Sequence, residues 1–244
     1  MSTQVFTDAD VFIDKYEISG DLNQISLNVG AEMVEATTYG AAARIKKPGL
    51  YTVEYTLNGL CNFGTGLSDE LLFGNVGVLN VPHTIVPENA QLGSTAYFFK
   101  ANQGQYSPGG AIGELLKFTV NGAVSGAPAV RGFILEPGKT MRTSTFQSSQ
   151  VLVGAAAASQ KLYAVLHVLA VQGTTKTLDV VIESDTTGFP SPTSKITFAH
   201  QTAVGSVYAT PLAGANTDTY YRVNATIGGT GSPGFTFCVA VGIL

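Results

Sequence analysis

Apolar residues fall at every second position along much of this chain, and a backbone with that period buries one side of itself only as a β-strand. Tyr51, Val53, Tyr55 and Leu57 alternate with Thr52, Glu54 and Thr56, which predicts a half-buried strand. Leu178, Val180 and Ile182 alternate with Asp179, Val181 and Glu183 in the same way. Near the end, Phe235, Phe237, Val239 and Val241 share one face, and the small residues Thr236, Cys238, Ala240 and Gly242 take the other. That pattern fits a strand packed closely on both sides. Leu162 to Val171 is apolar on both faces and predicts a central strand, with a short buried helix as the alternative.

Turn signals punctuate these runs: Asn58-Gly59, Ser107-Pro108-Gly109-Gly110, Asn121-Gly122, Pro137-Gly138, Gly188-Phe189-Pro190 and Gly228-Gly229-Thr230-Gly231. Strands at such spacing point to sandwiches or barrels. One helix is expected within Ser68 to Leu79, with Ser68 as N-cap and Asp69 and Glu70 in its first turn. Gly74 and Gly77 keep it short. The predicted class is mainly β.

Apolar residues make up 45% of the 244 residues, enough for a core and too many for disorder. Charged residues are only 12%, about half the usual share of roughly 25%. The surface is therefore built from Ser, Thr, Asn, Gln and Gly, and much of it is expected to be covered by something else, because a dispersed monomer carries more charge. A net charge of −4 argues against a basic face that grips phosphates. The opening residues MSTQVFTDAD hold no secretory pattern, and no apolar run is long enough to span a bilayer, so no membrane anchor is expected. Cys61 and Cys238 read as buried free thiols of a reducing compartment.

Charge divides unevenly along the chain. Residues 1–138 carry 13 acids against 7 bases, and residues 139–244 carry 4 acids against 6 bases. The change falls at Glu136-Pro137-Gly138-Lys139, ahead of a polar stretch. Two β domains are expected, 1–138 and 151–244, joined by a linker over 139–150.

No motif demands an active site. Gly229-Thr-Gly231-Ser-Pro-Gly234 matches G-x-G-x-x-G, but a strand follows it rather than a helix, so it predicts a glycine hairpin and not a dinucleotide site. His83, His167 and His200 lie far apart and form no metal-ligand pair; His167 reads as a satisfied core residue. No Ser sits in G-x-S-x-G. Asp69 and Glu70 are adjacent on a helix and face apart, so they are no acid/base pair. Asn224-Ala-Thr226 reads as strand polarity. No catalytic residue, metal site or cofactor is expected, and the protein is expected not to be an enzyme.

The segment Thr37 to Leu50 stands apart. It joins the strand-like runs Gln24–Glu35 and Tyr51–Leu57 and gathers Arg44, Lys46 and Lys47, three of the seven bases of an acidic half. It reads either as a solvated hairpin tip or as an arm reaching an acidic patch on a neighbouring subunit, with Tyr39 and Ile45 adding apolar contact.

Asp21-Leu-Asn-Gln-Ile-Ser-Leu, Glu35-Ala-Thr-Thr-Tyr-Gly and Lys47-Pro-Gly-Leu-Tyr-Thr-Val-Glu-Tyr-Thr-Leu-Asn-Gly together resemble the opening of the major tail tube proteins of long-tailed, siphovirus-type bacteriophages. In that family a D-L-S-G-like turn, a strand, a T-T-F-G loop and a G-L strand follow in order; here Tyr39 stands where Phe is usual. Tyr97-Phe-Phe, Tyr106 to Leu115 and the closing Gln160–Gly242 stretch are similar to virion-protein segments. The second half departs from the minimal family pattern of one sandwich plus arms.

The resemblance implies a tail-tube-type β-sandwich with one short flanking helix and a long arm, followed here by a second β-sandwich. It implies a structural virion protein of the tail, made in the host bacterial cytoplasm, that forms stacked and typically hexameric rings through which DNA passes in ejection without specific binding. Other copies of the chain and tail proteins such as the tape measure and terminator are the implied partners. Contact between rings is assigned to Thr37, Thr38, Tyr39, Arg44, Ile45, Lys46, Lys47 and Pro48, and Glu32, Glu35 and Glu54 are candidates for an acidic lumen that repels phosphate. The alternative is a capsid decoration or adhesin-like virion protein that binds host surface glycans.

Overall fold

The computed structural model describes residues 8–40 and 42–244. The reading of the first seven residues, and of Ala41 within the arm, lies outside the described residues. In chain order the strands are β1 (Asp10–Ile13), β2 (Tyr16–Glu17), β3 (Leu22–Glu35), β4 (Lys46–Leu60), β5 (Val81–Val86), β6 (Thr95–Gly109), β7 (Lys117–Val124), β8 (Val130–Pro137) and β9 (Phe146–Gln147). They continue with β10 (Val151–Leu152), β11 (Lys161–Gln172), β12 (Thr175–Asp185), β13 (Thr193–Thr197), β14 (Gly205–Tyr208), β15 (Leu212–Ala213), β16 (Tyr220–Thr230) and β17 (Gly234–Ile243). The one α-helix among the described residues is α1 (Ser68–Gly74). The fold is mainly β, as the alternation requires.

The chain forms two compact units. Among the described residues, the first comprises 8–19, Pro82–Phe99 and Val130–Leu244, and the second falls within Gly20–Val81 and Lys100–Ala129. The division expected at residues 139–150 is therefore not where the chain divides, and that segment is no linker. Arg142 exchanges both backbone hydrogen bonds with Phe235, at 2.8 and 2.9 Å, and β9 pairs with β16. The Pro137-Gly138 signal marks the end of β8, and the change in charge balance reports no change in packing.

The first unit is a sandwich. One sheet runs β14-β11-β17-β8, and a second runs β10-β16-β12-β13 with β9 also on β16. Leu162–Val171 is a central strand between β14 and β17. Phe235, Phe237, Val239 and Val241 point into the core between the sheets with Leu166, Val180, Ile182 and Val223. Cys238 and Ala240, on the opposite face of β17, meet Phe12, Phe98 and Ile134 in a second cluster. Both faces of β17 are thus buried, which explains its run of small residues. Each fully buried large side chain contributes roughly 1.5–3 kcal/mol. The glycines 229–234 join β16 to β17, but the hairpin expected there does not form: β16 pairs with β12 in the second sheet and β17 with β11 in the first, so the connection arches from one sheet of the sandwich to the other.

The second unit is built on the antiparallel sheet β3-β4-β7, with residues Ala101–Gly109 of β6 pairing β7. Asn58-Gly59 and Asn121-Gly122, read as turns, lie inside β4 and β7. Their glycines make room for rings on the paired strand. A Cβ on Gly122 would lie 2.4 Å from the ring of Tyr55, its cross-strand partner, and one on Gly59 would lie 2.6 Å from the ring of Phe118. A glycine opposite an aromatic is a pairing device within a sheet, and it carries the same dipeptide as a turn. α1 ends at Gly74, short of Leu79, and its N-cap is Leu67. Ser68 instead accepts a hydrogen bond from the Asn62 backbone at 3.2 Å.

Candidate functional site

β4 pairs with β7 only from Glu54 onward. From Val53 back to Lys46 its partner is β3, with Val29 opposite Val53, Met33 opposite Pro48, Val34 opposite Lys47 and Glu35 opposite Lys46. The arm is thus the end of a two-stranded ribbon. At about 3.3 Å per residue its six or seven residue pairs extend about 20 Å past the four-stranded sheet. The turn is closed by Ala36 N–H donating to the Ile45 carbonyl at 2.8 Å and by Ile45 N–H donating to the Thr37 hydroxyl at 2.9 Å. The Thr37 hydroxyl donates in turn to the Glu35 carboxylate.

Thr37, Thr38, Arg44, Lys46, Lys47 and Pro48 are exposed, and the three bases enter no ion pair among the described residues. Tyr39 is fully exposed, and Leu50 and Tyr51 are 80% and 79% exposed; Val29, Met33, Val34 and Ile45 are close to half exposed. A two-stranded ribbon in water is marginal by itself, and this one carries exposed apolar side chains on both of its strands. β3 is also an edge. Among the described residues it pairs with β4 alone, and over 14 residues it holds no Lys, Arg or Pro to discourage a further strand, its only charges being Glu32 and Glu35 at the ribbon end. Folded monomers protect such edges.

The two faces of the sheet differ. Gln103 and Tyr106 on one face hold α1: the Gln103 side-chain amide donates to the Leu72 carbonyl at 2.5 Å, and the Tyr106 hydroxyl donates to Asp69 at 2.6 Å. Burial, joined by the Asp69 and Cys61 neighbours, pushes the Tyr106 phenol well above its usual range. The opposite face is an amide and hydroxyl lattice. Asn58 bridges Gln24 at 3.1 Å and Thr119 at 2.7 Å. Thr56 donates to Asn121 at 2.8 Å, Asn121 donates to Gln105 at 3.2 Å, and Gln105 donates to Ser107 at 2.8 Å. Glu54 lies on this face, paired with Asn28 and Ala123. Glu32 and Glu35 are not beside it; they sit on the ribbon, Glu32 at the bulge between Ala31 and Met33. Of the three acidic residues singled out in the sequence, only Glu54 lies on the lattice face of the four-stranded sheet.

A third surface surrounds α1. The Cys61 N–H donates to the Leu116 carbonyl at 2.9 Å, and Leu60 pairs with Lys117, so the 110–116 loop lies beside the segment leading to the helix. Phe63, Phe73, Leu79, Ile112 and Leu115 are all more than 60% exposed. Asp69, Glu70 and Glu114 provide acid there, and neither 60–79 nor 110–116 contains Lys or Arg. The lattice escaped the sequence reading because its asparagines belong to dipeptides that also make turns. The helix surface left a legible sign: Leu71, Leu72 and Phe73 are consecutive, and a helix this short buries only Leu71 and Leu72 of them.

His167 lies in the first unit, fully buried in β11. Its Nε2 is 2.8 Å from the Thr84 hydroxyl, and its Nδ1 is 2.7 Å from the Asp14 carbonyl. Burial lowers its pKa to about 4, against a raising influence from Asp14, so the ring is neutral at pH 7. Both nitrogens have partners, which gives it a packing role. Among the described residues no group of three or more His, Cys, Asp or Glu side chains is placed to hold a metal ion, and no helix is long and apolar enough to cross a membrane.

No protein-family model matches the chain, and no curated protein matches it. Among solved structures it is similar to a protein from the virion of a native gene transfer agent particle, with TM-score 0.42, 14% identity, and coverage of 51% of this chain and 96% of that one. It is similar to the SPP1 Dit (gp 19.1) protein, described as a paradigm of the hub adsorption apparatus in phages infecting Gram-positive hosts, with TM-score 0.39, 11% identity, and coverage of 98% and 100%. It is also similar to a protein from the tail of an empty gene transfer agent particle, with TM-score 0.35, 14% identity, and coverage of 46% and 81%. At these TM-scores the likenesses carry no argument.

Proposed function

We propose that this protein is a structural subunit of a phage-type tail, of the tail tube class, which joins copies of itself into rings and stacks the rings into a tube for DNA. The observation that carries the reading is the 14-residue edge of β3, which holds no Lys, Arg or Pro and whose only charges, Glu32 and Glu35, sit at its far end, continuous with an apolar, basic ribbon that nothing in its own unit completes. A strand from a neighbouring copy satisfies that edge, and closed rotational symmetry ends the addition without leaving an edge behind.

In this arrangement the lattice face lines the channel. Its amides and hydroxyls are already engaged with each other, so they hold water rather than grip a phosphate backbone. Glu54 adds a negative charge that keeps DNA mobile. Thr37 to Pro48 make the contact between rings, with Arg44, Lys46 and Lys47 as the charged partners. The low charge of the whole chain follows, because Ser, Thr and Asn are removed from water at an interface with less loss than Lys or Glu. No step of this function requires a catalytic group, and the supporting chemistry is that of surfaces.

The test is negative-stain microscopy of the purified full chain, with light scattering across a concentration series. Rings or hollow tubes are expected. Dispersed monomers at high protein concentration and at every ionic strength tried overturn the reading.

A further inference from the structure

We infer that the surface around α1 and the 110–116 loop is the receptor for the ribbon end of a second copy of this chain. The inference rests on the self-assembly proposed above and adds the surface that receives the arm. The two surfaces match in chemistry. The ribbon end offers Arg44, Lys46 and Lys47, all exposed and without an ion-pair partner among the described residues, next to exposed Tyr39 and Ile45. The receptor offers Asp69, Glu70 and Glu114, with no base from 60 to 79 or from 110 to 116. Its apolar side chains, Phe63, Phe73, Ile112 and Leu115, are as exposed as those of the ribbon.

Opposite charge set around apolar side chains gives an interface its register as well as its contact. Apolar side chains clustered in this way on a folded domain mark an interaction site. The occupant is a second copy because the complementary surface, basic and apolar on one projecting element, is present on this same chain. The receptor is also firmly built. Asp69 is held by Tyr106 at 2.6 Å, Glu70 accepts a hydrogen bond from Gly66 N–H at 2.6 Å, and the loop is fixed by the Cys61–Leu116 hydrogen bond. The charges are therefore positioned before the ribbon arrives, which lowers the ordering cost of docking.

Charge exchange in the full-length protein tests this, read as the fraction of chain pelleted as assemblies, with circular dichroism confirming that each variant is folded. Arg44→Glu with Lys46→Glu, and separately Glu70→Lys with Glu114→Lys, should each reduce the pelleted fraction at least tenfold. All four substitutions in one chain should restore it to within about threefold of the unmodified protein, as expected for a directly coupled charge pair. Glu114→Lys alone, on an exposed loop, serves if the Glu70 change disturbs folding, and should reduce the fraction severalfold. If the receptor variants assemble normally, or if the four-fold variant stays dispersed, the receptor assignment is overturned while the arm keeps its role. If the unmodified chain never assembles, the proposed function falls instead.

Discussion

Strand β17 of the sandwich and the β3–β4 ribbon use the same kinds of residue and treat them in opposite ways. Phe235, Phe237, Val239 and Val241 are completely buried within one chain, whereas Val29, Met33, Val34, Leu50 and Tyr51 stand close to half exposed or more. The sandwich buries its apolar side chains within one chain; the ribbon leaves its own exposed. Polar groups follow the same division. In the sandwich the Glu136 carboxylate is buried and answered by Arg142, whose guanidinium approaches it at 3.0 and 3.1 Å and lies 4.5 Å over the Phe146 ring. On the ribbon, Arg44 and Lys47 wait in water. One region is complete within its own chain; the other is completed only in the assembly proposed above.

Truncation gives the sharpest contrast. Phe237→Ala should destabilise the isolated protein by about 3–5 kcal/mol, the usual cost of emptying a core site of that size, measured by urea denaturation. Tyr51→Ala should change the same quantity by less than about 0.5 kcal/mol and yet lower assembly strongly. Equal losses from the two would erase the distinction. Next, Arg142→Ala leaves the Glu136 carboxylate buried without its partner and should cost about 3 kcal/mol, whereas Lys47→Ala should be neutral in the same denaturation series.

The third effect depends on pH. The folded pKa of His167, about 4, lies below its unfolded value of 6.5, so the neutral ring favours the folded state. That stability is complete above pH 6.5 and is lost as pH falls from there through 4. A fall in Tm on the order of 5 °C between pH 7 and pH 4.5 is expected from this group, read by calorimetry, and His167→Gln should reduce it. The smallest effect on the folded chain is expected from Val29→Lys, which places a charge on the β3 edge. Tm should stay within about 2 °C of the unmodified protein, while rings disappear from micrographs because a lysine on an edge resists strand addition.

Much of the sandwich was legible because alternation is a local signal. Leu162–Val171 and Phe235–Val241 show their strand character in their own residue order, whereas the 229–234 glycines, read as a hairpin, cross between sheets because β16 and β17 pair with strands far from them in sequence. The division of the chain was not legible. Residues 82–99 belong with 130–244, and nothing in a linear charge balance records which strands pair. Gly59 and Gly122 show the same limit at the scale of one residue. Whether a glycine bends a chain or clears space for a ring depends on a partner about 60 positions away. At the functional surface, Arg44, Lys46 and Lys47 stood out as a basic run in an acidic half. The lattice from Gln24 to Ser107 stayed hidden, since it is assembled from four strands that each contribute unremarked polar residues.

The position of β17 has a consequence for how the protein is made. It follows β8 in the chain with eight strands, β9 to β16, in between, and it lies between β11 and β8, at the centre of its sheet rather than at the rim. At about 5–20 residues per second, the ribosome delivers β17 some 5–20 s after β8, and until then β8 lacks one of its two neighbours. The sheet of the first unit therefore stays open at its centre until β17 emerges, and β17 is a keystone of that unit rather than an appendage to it.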